Sequence, residues 1–443
     1  EVDDSLSVVD ETQSSIPRDS RVTTGKIHSA LRRLKNMKAP GFDGIFNILL
    51  KHLQNKAICL LTNIFQRCLE LGYFPSAWKC AKVVPILKPG KDPTIRMIYR
   101  PIRLLPSLGK LFEGIVCGLL QASVEDRDIF PSDQFRFRSG HSTVHKLLRL
   151  KQYFEQNKRV SKSTMVAMLD VEKAFDNVWH DGLVHKLVTF SIPMYLVKFI
   201  SSYLQQRTFR VALCSTLSDS HPVSAGVPQG SLLGPLLYIL YTADIPMLPD
   251  GSPMFLFADD TAIAAKGRSL VEMRRRIQSC LDTFVQYAAN WKIRGCAMVV
   301  PHRLKQSLIP TWQTRLLING FPIEWTENVR YLGLILDRKM LSHGQVERVL
   351  HLRHKLMMSL YPLISRRSKL SFENSQSVYN QIINPAVLYG CPVWGSCARI
   401  NRRRIQVMLN KILRMIAQVH MYTSNRTLYK LCRTIPVEEE ILK

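Results

Sequence analysis

The sequence predicts an α+β fold. Short apolar runs bounded by Gly and Pro alternate with helix-spaced apolar positions over most of the chain. The stretch after Lys339 carries only helical spacing and is strongly basic. Hydrophobic residues make up 46% of the 443 positions, ordinary globular composition with material for a core. A chain of this length makes about two or three domains, and the change of pattern puts a boundary near residue 338.

The elements follow in order. Residues 1–24 are polar and mildly acidic, which predicts a frayed segment. Ile27, Leu31 and Leu34 mark one helix face that stops at Pro40-Gly41. Asn47 to Leu71 reads as a second amphipathic helix. Val83 to Leu87 is a short strand ended by the turn KPGKDP, and SLGKLFEGIVCGLLQASV is a helix. Ser163 to Leu169 is a strand ending on Asp170, and a helix begins near His180. Phe209 to Cys214 and a piece near Val223 are short strands. A PQGS turn then opens the Leu-rich helix LLGPLLYILYTADI. FLFADDTAIAA, Phe255 to Ala265, reads as strand, tight turn, strand. Leu270, Met273, Ile277, Leu281, Phe284 and Ala288 follow helical spacing, with Arg274 to Arg276 on or beside the polar face. Leu316 to Ile318 and Tyr331 to Leu336 are strand pieces on either side of a turn near Asn319-Gly320. No internal repeat is present.

Lys and Arg total 61 against 34 Asp and Glu, a net charge of +27 with a pI near 9.9. Such a balance points to a polyanionic partner, nucleic acid ahead of an anionic membrane surface. No apolar run reaches the ~18 residues of a membrane span; SLLGPLLYILY is short and holds Gly234 and Pro235. No signal-peptide pattern opens the chain. It starts at Glu1, which reads as a piece of a longer protein. The ten cysteines form no C-x-x-C pair, so reduced core thiols are expected rather than zinc or disulfides. His141/His145 and His351/His354 have helical spacing but no companion ligand pattern.

Asp259 and Asp260 sit side by side in an apolar run, an arrangement that needs compensation. Asp170 places a third carboxylate at the end of an apolar strand. A divalent cation would offset their repulsion, and all-oxygen ligation suits Mg²⁺. Two such ions can clamp the attacking and leaving oxygens of an in-line phosphoryl transfer. Asp176 reads instead as a helix N-cap or a surface ion pair. In SAGVPQGSLLGPLLY, Gly226, Pro228 and Gly230 shape a tight loop before a helix. Backbone N–H groups there can meet a phosphate or a base edge, and Gln229 adds a donor and an acceptor.

KAPGFDG (38–44), VVPILKPGKDP (83–93), YRPIRLLPSLGKLFE (99–113) and LDVEKAFDNVWHDGL (169–183) come in that order, followed by AGVPQGSLLGPLLY (225–238), FADD (257–260) and YLGLILD (331–337). From about residue 26 to the end, the chain closely resembles the reverse transcriptases of non-LTR retrotransposons, and among them the jockey-like elements of arthropods. The resemblance implies a right-hand polymerase: mainly fingers over 26–162, mainly palm with an antiparallel sheet over 163–338, and a basic helical thumb over 339–443, after a polar flexible segment at 1–25. It implies RNA-templated DNA synthesis from dNTPs with two Mg²⁺ ions, Mn²⁺ being a possible substitute.

Carried over by motif, Asp170 and Asp259 are metal ligands and Asp260 is the third acidic residue. The backbone carbonyl of Val171 would also touch a metal. Gln229 and Gly230 would lie against the incoming nucleotide, with Arg100 and Lys88 reaching its triphosphate. Tyr331, Leu332 and Gly333 match the region that holds the primer end. Phe175 would sit under the sugar and leave no room for a 2′-OH, which argues against an RNA polymerase. In the helix RINRRRIQVMLNKILRMIAQ, Ile405, Met408, Leu409, Ile412 and Ile416 give an apolar face. Arg402, Arg403, Arg404, Lys411 and Arg414 could track a template–primer backbone. Implied partners are an RNA template, a DNA primer and dNTPs. An endonuclease is expected in a complete element but is not recognised in this chain. No membrane association is expected, and the implied locations are cytoplasm and nucleus.

The pattern departs at three places. Phe135-Arg136-Phe137-Arg138 carries Arg136 where relatives usually have Gly. Arg103 stands where Ser is more familiar. After Trp291-Lys292-Ile293, the region of an expected Asn-then-Lys holds Gly295, Cys296 and Ala297, with no lysine before Lys305. The competing reading is a decayed or domesticated copy that only binds RNA.

Overall fold

Most of the apolar runs expected as strands pair into two larger sheets, one in each of two units. The computed structural model describes residues 2–11, 16–87, 92–95, 98–130, 134, 140, 142–160, 163–171, 173–213, 216–257, 260–292, 295–302, 316–318, 320–337, 342–365 and 367–441. One unit comprises Glu1–Phe137, Val171–Met247 and Phe284–Gly295. The other comprises Arg138–Asp170, Leu248–Thr283 and Cys296–Lys443. Within the second unit, the helix His343–Ile364 packs on the strand Leu334–Asp337, and Gln345 Oε1 accepts from Ile335 N at 3.0 Å.

In the first unit, Cys80–Leu87 pairs antiparallel with Tyr99–Leu104 and parallel with Arg207–Leu213. Arg207–Leu213 also takes Thr216–Leu217 and His221–Val223 antiparallel. Tyr99–Leu104 was hidden in the sequence because YRPIRL is polar and largely exposed. Its Pro101 lies opposite Pro85, two residues without an N–H to leave unpaired. Residues 2–11 correct the expected frayed start. Val2, Leu6 and Val9 recur at helical spacing, and Val2–Glu11 is a helix packed on the helix His180–Thr189. Val9 is buried there, and Ser5 Oγ lies 2.8 Å from His185 Nδ1. The Ile27 helix, Thr24–Arg33, ends well before Pro40. Asn47 to Leu71 splits into Asn47–Lys51 and Asn55–Glu70. The core is aromatic: Phe65 stacks on Phe112 at 4.5 Å, and Phe112 and Phe199 meet edge-on at 5.0 Å.

The second unit holds a five-stranded sheet in the order Glu324–Trp325, Gly295–His302, Ser163–Val171, Asp260–Gly267, Met254–Phe257. Thr164 to Leu169 and Thr261 to Ala265 are buried throughout, which is why these strands read as continuous apolar runs rather than alternating ones. Tyr331 to Leu336 is not one strand but a hairpin, Asn328–Tyr331 against Leu334–Asp337, turning at Leu332-Gly333. Beyond residue 342 the regular structure of the described residues is helical, as expected, and the helix Arg399–Ile416 buries Ile405, Met408, Leu409, Ile412 and Ile416. No helix among the described residues is long and apolar enough to cross a membrane. The eight cysteines whose side chains are described are free thiols.

One buried cation stands out in the first unit. Lys186 is 1% exposed. Its Nζ donates to Tyr241 O and Asp244 Oδ1 at 2.5 Å each and to Tyr287 OH at 2.9 Å. It also sits 3.6 Å from the Trp291 ring centroid. Burial pulls its pKa down from 10.5 to about 8, with Asp244 opposing. Between those values the folded chain has released a proton that the unfolded chain keeps. Stability contributed here therefore rises as pH goes from about 8 toward 10.5, by on the order of 3 kcal/mol. Urea unfolding of the native chain against Lys186→Met across this range is expected to show that rise only in the native chain.

Candidate active site

The strand carrying Asp170 and the strand opening at Asp260 run antiparallel from Ser163 opposite Gly267 to Asp170 opposite Asp260. The two acids thus occupy one rung at the end of the ladder. Acidic residues at directly opposed register positions are in general a costly pairing in a sheet without a counter-charge. Asp260 is also the rung partner of Phe257 on the neighbouring strand. Asp259 lies outside the described residues.

Tyr331 belongs to the same end of this unit. It is 3% exposed, and its hydroxyl donates to Phe255 O at 3.1 Å. Burial raises the phenol pKa, and the charge of Asp260 adds to the effect. The corner that follows has Leu332 at φ 44° and Gly333 at φ 82°, the two positive values that a two-residue hairpin of the primed type requires. Leu332 in that conformation costs about 1 kcal/mol or more. Tyr389 OH donates to Leu332 O at 2.9 Å, and Arg348 Nη1 donates to Gly333 O. The corner is held by one side chain from the helix His343–Ile364 and one from the turn after Asn384–Leu388.

The glycine loop of the first unit is fastened to the segment after Val171. Gly226 N donates to Val178 O at 2.8 Å and Val227 N to Phe175 O at 2.7 Å. His180 Nε2 donates to Gly226 O at 2.8 Å. Gly226 has φ 88°, and a Cβ there would fall 2.6 Å from Asp176 O. Gly230 has φ 98° and approaches Arg103 O as closely as 2.9 Å on the same measure. Both glycines are required by the turn and by the close approach. Phe175 is half-buried, its ring 4.9 Å from that of Tyr238. Gln229 is half-buried and donates through Nε2 to Asp176 Oδ2 at 3.0 Å. Asp176 is no helix cap. It pairs with Arg103 at 3.1 Å, with the two side chains 23% and 14% exposed, so the expected surface pair is largely buried. This pairing also gives the unusual Arg103 its place.

Glu113 supports the loop from below. It is 1% exposed on the helix Ser107–Asp126. Its Oε2 accepts from Ser231 Oγ and from Leu232 N, both at 2.8 Å. Ser231 Oγ in turn accepts from Tyr203 OH at 2.8 Å and from the N–H groups of Leu233 and Gly234, which open the helix Gly234–Tyr241. Burial raises the Glu113 pKa, opposed by nearby Arg207 and by these hydrogen bonds.

The remaining expected residues fare differently. Arg100 is exposed on the strand Tyr99–Leu104. Lys88 and Phe135 to Arg138 lie outside the described residues, and no side chain is described from 295 to 302. On the basic helix, Arg402 donates to Cys397 O at 2.7 Å and Gly395 O at 3.2 Å, and Arg414 to Asn425 Oδ1 at 2.7 Å and Thr423 O at 2.9 Å. Arg404 pairs with Glu347 at 2.6 Å. Of the five cations expected to track a backbone, Arg402 and Arg414 are hydrogen-bonded within the chain and Arg404 is ion-paired, while Arg403 and Lys411 are exposed. Glu113 and Asp176 were missed as loop supports. An acid inside the apolar stretch Leu111-Phe112-Glu113 was the available signal for the first.

Known proteins share this chain's sequence pattern. A family model described as reverse transcriptase (RNA-dependent DNA polymerase) matches residues 86–336. The probable RNA-directed DNA polymerase from transposon X-element of Drosophila melanogaster is 34% identical over 99% of this chain and 49% of its own length. The RNA-directed DNA polymerase from mobile element jockey of the same fly is 34% identical over 94% of this chain and 46% of its own length. That of Drosophila funebris is 33% identical over the same shares. The chain belongs to the reverse transcriptase family, and it is similar to the jockey-type mobile-element members that its motifs implied. It spans about half the length of these relatives.

Two substitutions probe the loop. Gly226→Ala is expected to lower stability by about 2 kcal/mol or more, since φ and the Asp176 backbone both oppose it. Glu113→Ala strands the Ser231 and Leu232 donors and is expected to cost about 2–3 kcal/mol, whereas Glu113→Gln keeps an acceptor and costs less. Chemical denaturation at pH 7 measures both.

Proposed function

We propose that this chain is an RNA-directed DNA polymerase of a jockey-like mobile element, extending a DNA primer on an RNA template with dNTPs. The opposed Asp170 and Asp260 carry the reading. An acidic rung of this kind fits a site for divalent cations, and oxygen donors suit Mg²⁺, with Mn²⁺ as a substitute. Asp170, Asp259, Asp260 and the Val171 carbonyl would hold two ions. When bound, these ions supply positive charge to the attacking and leaving oxygens of phosphoryl transfer.

The chain's own residues would do the rest. Phe175, backed by Tyr238, stands under the sugar and excludes a 2′-OH. Gln229 and Gly230 meet the incoming nucleotide. Arg100 and Lys88 bind its triphosphate. Tyr331, Leu332 and Gly333 hold the primer end, which accounts for a strained corner being kept rigid. Arg403 and Lys411 contact the template–primer backbone. Fingers over 26–162, palm over 163–338 and thumb over 339–443 are the corresponding parts of a right hand. An endonuclease partner, and work in cytoplasm and nucleus, follow from the life cycle of such an element.

Primer extension on poly(rA)/oligo(dT) with dTTP and Mg²⁺ tests this. The native chain is expected to extend, and Asp260→Ala and Asp170→Asn to lose more than roughly 100-fold. Phe175→Val is expected to accept rUTP. Salt-sensitive RNA binding without extension in any variant would sink the polymerase and leave an RNA-binding copy. In binding titrations, Arg403→Ala and Lys411→Ala should each reduce the slope of log affinity against log salt by ~0.9, the duplex-DNA value. Arg402→Ala should leave that slope unchanged.

A further inference from the structure

Both oxygens of Asp176 are engaged. Oδ1 takes Arg103 Nη2 at 3.1 Å, and Oδ2 takes Gln229 Nε2 at 3.0 Å. The other arm of Arg103, Nη1, reaches Val227 O at 3.4 Å in the same loop. Asp176 is held in turn by its backbone: Asp176 N donates to Lys173 O at 2.8 Å. The carboxylate therefore has a fixed position beside a cationic neighbour.

An ionised carboxylate only accepts hydrogen bonds. The Gln229 amide has two distinct ends, and either could in principle face inward. Opposite Asp176 only the NH₂ end can. The amide carbonyl is then left to the other side, as an acceptor of fixed direction. A neutral or mobile partner at position 176 would remove that distinction.

We propose that Asp176, clamped by Arg103, is a positioning residue that presents the Gln229 carbonyl as a hydrogen-bond acceptor to the incoming nucleotide. The group it meets on the nucleotide is then a donor. This rests on the polymerase reading above. It also assigns a role to the two features that departed from expectation, Arg103 in place of Ser and Asp176 read as a surface ion.

The test is a double-mutant cycle of Asp176→Asn with Gln229→Met, which removes the amide at similar volume. Two readouts are taken: KM and kcat for single dTTP addition, and dTTP binding to the template–primer complex in Ca²⁺, which needs no turnover. Asp176→Asn is expected to weaken dTTP binding and raise KM roughly tenfold, with kcat changed less. In the Gln229→Met background it is expected to add nothing. Arg103→Met is expected to act in the same direction and to be equally silent in that background, and it serves if Asp176→Asn does not fold. An equal loss with and without the amide would make Asp176 merely structural and overturn the proposal. So would unchanged binding in Asp176→Asn. A native chain that extends primers but shows either result loses only the positioning role. A native chain that neither binds dTTP nor extends loses the polymerase reading together with it.

Discussion

Asp170 and Asp260 are register partners on one rung of an antiparallel ladder, and the proposed chemistry depends on that register being held. Asp170 and Asp260 hold that rung because the strands behind them have no freedom to slip. A shift of one residue would turn every side chain to the opposite face. Val166, Ala167, Ala262, Ile263 and Ala264 are buried at 1% exposure or less, so the strands are packed on both faces and the register is fixed. The apolar run is what makes the acidic end possible.

Buried charge elsewhere in the chain is handled by three distinct means. Lys186 keeps its place through an ion pair, two oxygen acceptors and an aromatic face, while burial makes it hold its proton less tightly. Glu113 accepts from Ser231 and Leu232, and these hydrogen bonds, with nearby Arg207, oppose the rise in pKa that burial causes. Asp176 remains paired with a guanidinium and spends its second oxygen on an amide. The last two converge on the loop from Gly226 to Leu232. Its backbone geometry comes from glycine, and its side-chain geometry comes from acids remote in sequence.

Much of this was legible beforehand. The strand Ser163–Val171, the strands Met254–Phe257 and Asp260–Gly267, and the helix after Gly230 follow from apolar runs bounded by turn residues. The apolar face of Arg399–Ile416 followed from spacing alone. What escaped did so for physical reasons. Tyr99–Leu104 forms a strand through pairing with Cys80–Leu87, against its own polar composition. Tyr331 to Leu336 has strand-like residues, and only the positive φ at Leu332 and Gly333 turns it back. Charge counting made a row of cations on one helix, but whether an arginine is free depends on carbonyls and carboxylates that the fold brings to it, as at Arg402 and Arg414. The partners of Asp176 lie 73 and 53 residues away in the chain, beyond any local pattern.

The division of the chain has a consequence for how it is made. Each unit is assembled from three separated stretches, and the chain passes between them at 137, 170, 247, 283 and 295. Neither unit can be obtained as one contiguous fragment. During synthesis, the first unit lacks its last stretch until residue 295 has emerged, and the second lacks most of its helices until later still. Early contacts must wait for distant sequence, which raises the loop-closure cost and slows folding. Strand edges such as that of Ser163–Val171 stay unpaired meanwhile, open to association with other chains. Folding of this chain is accordingly paced by the arrival of its distant stretches.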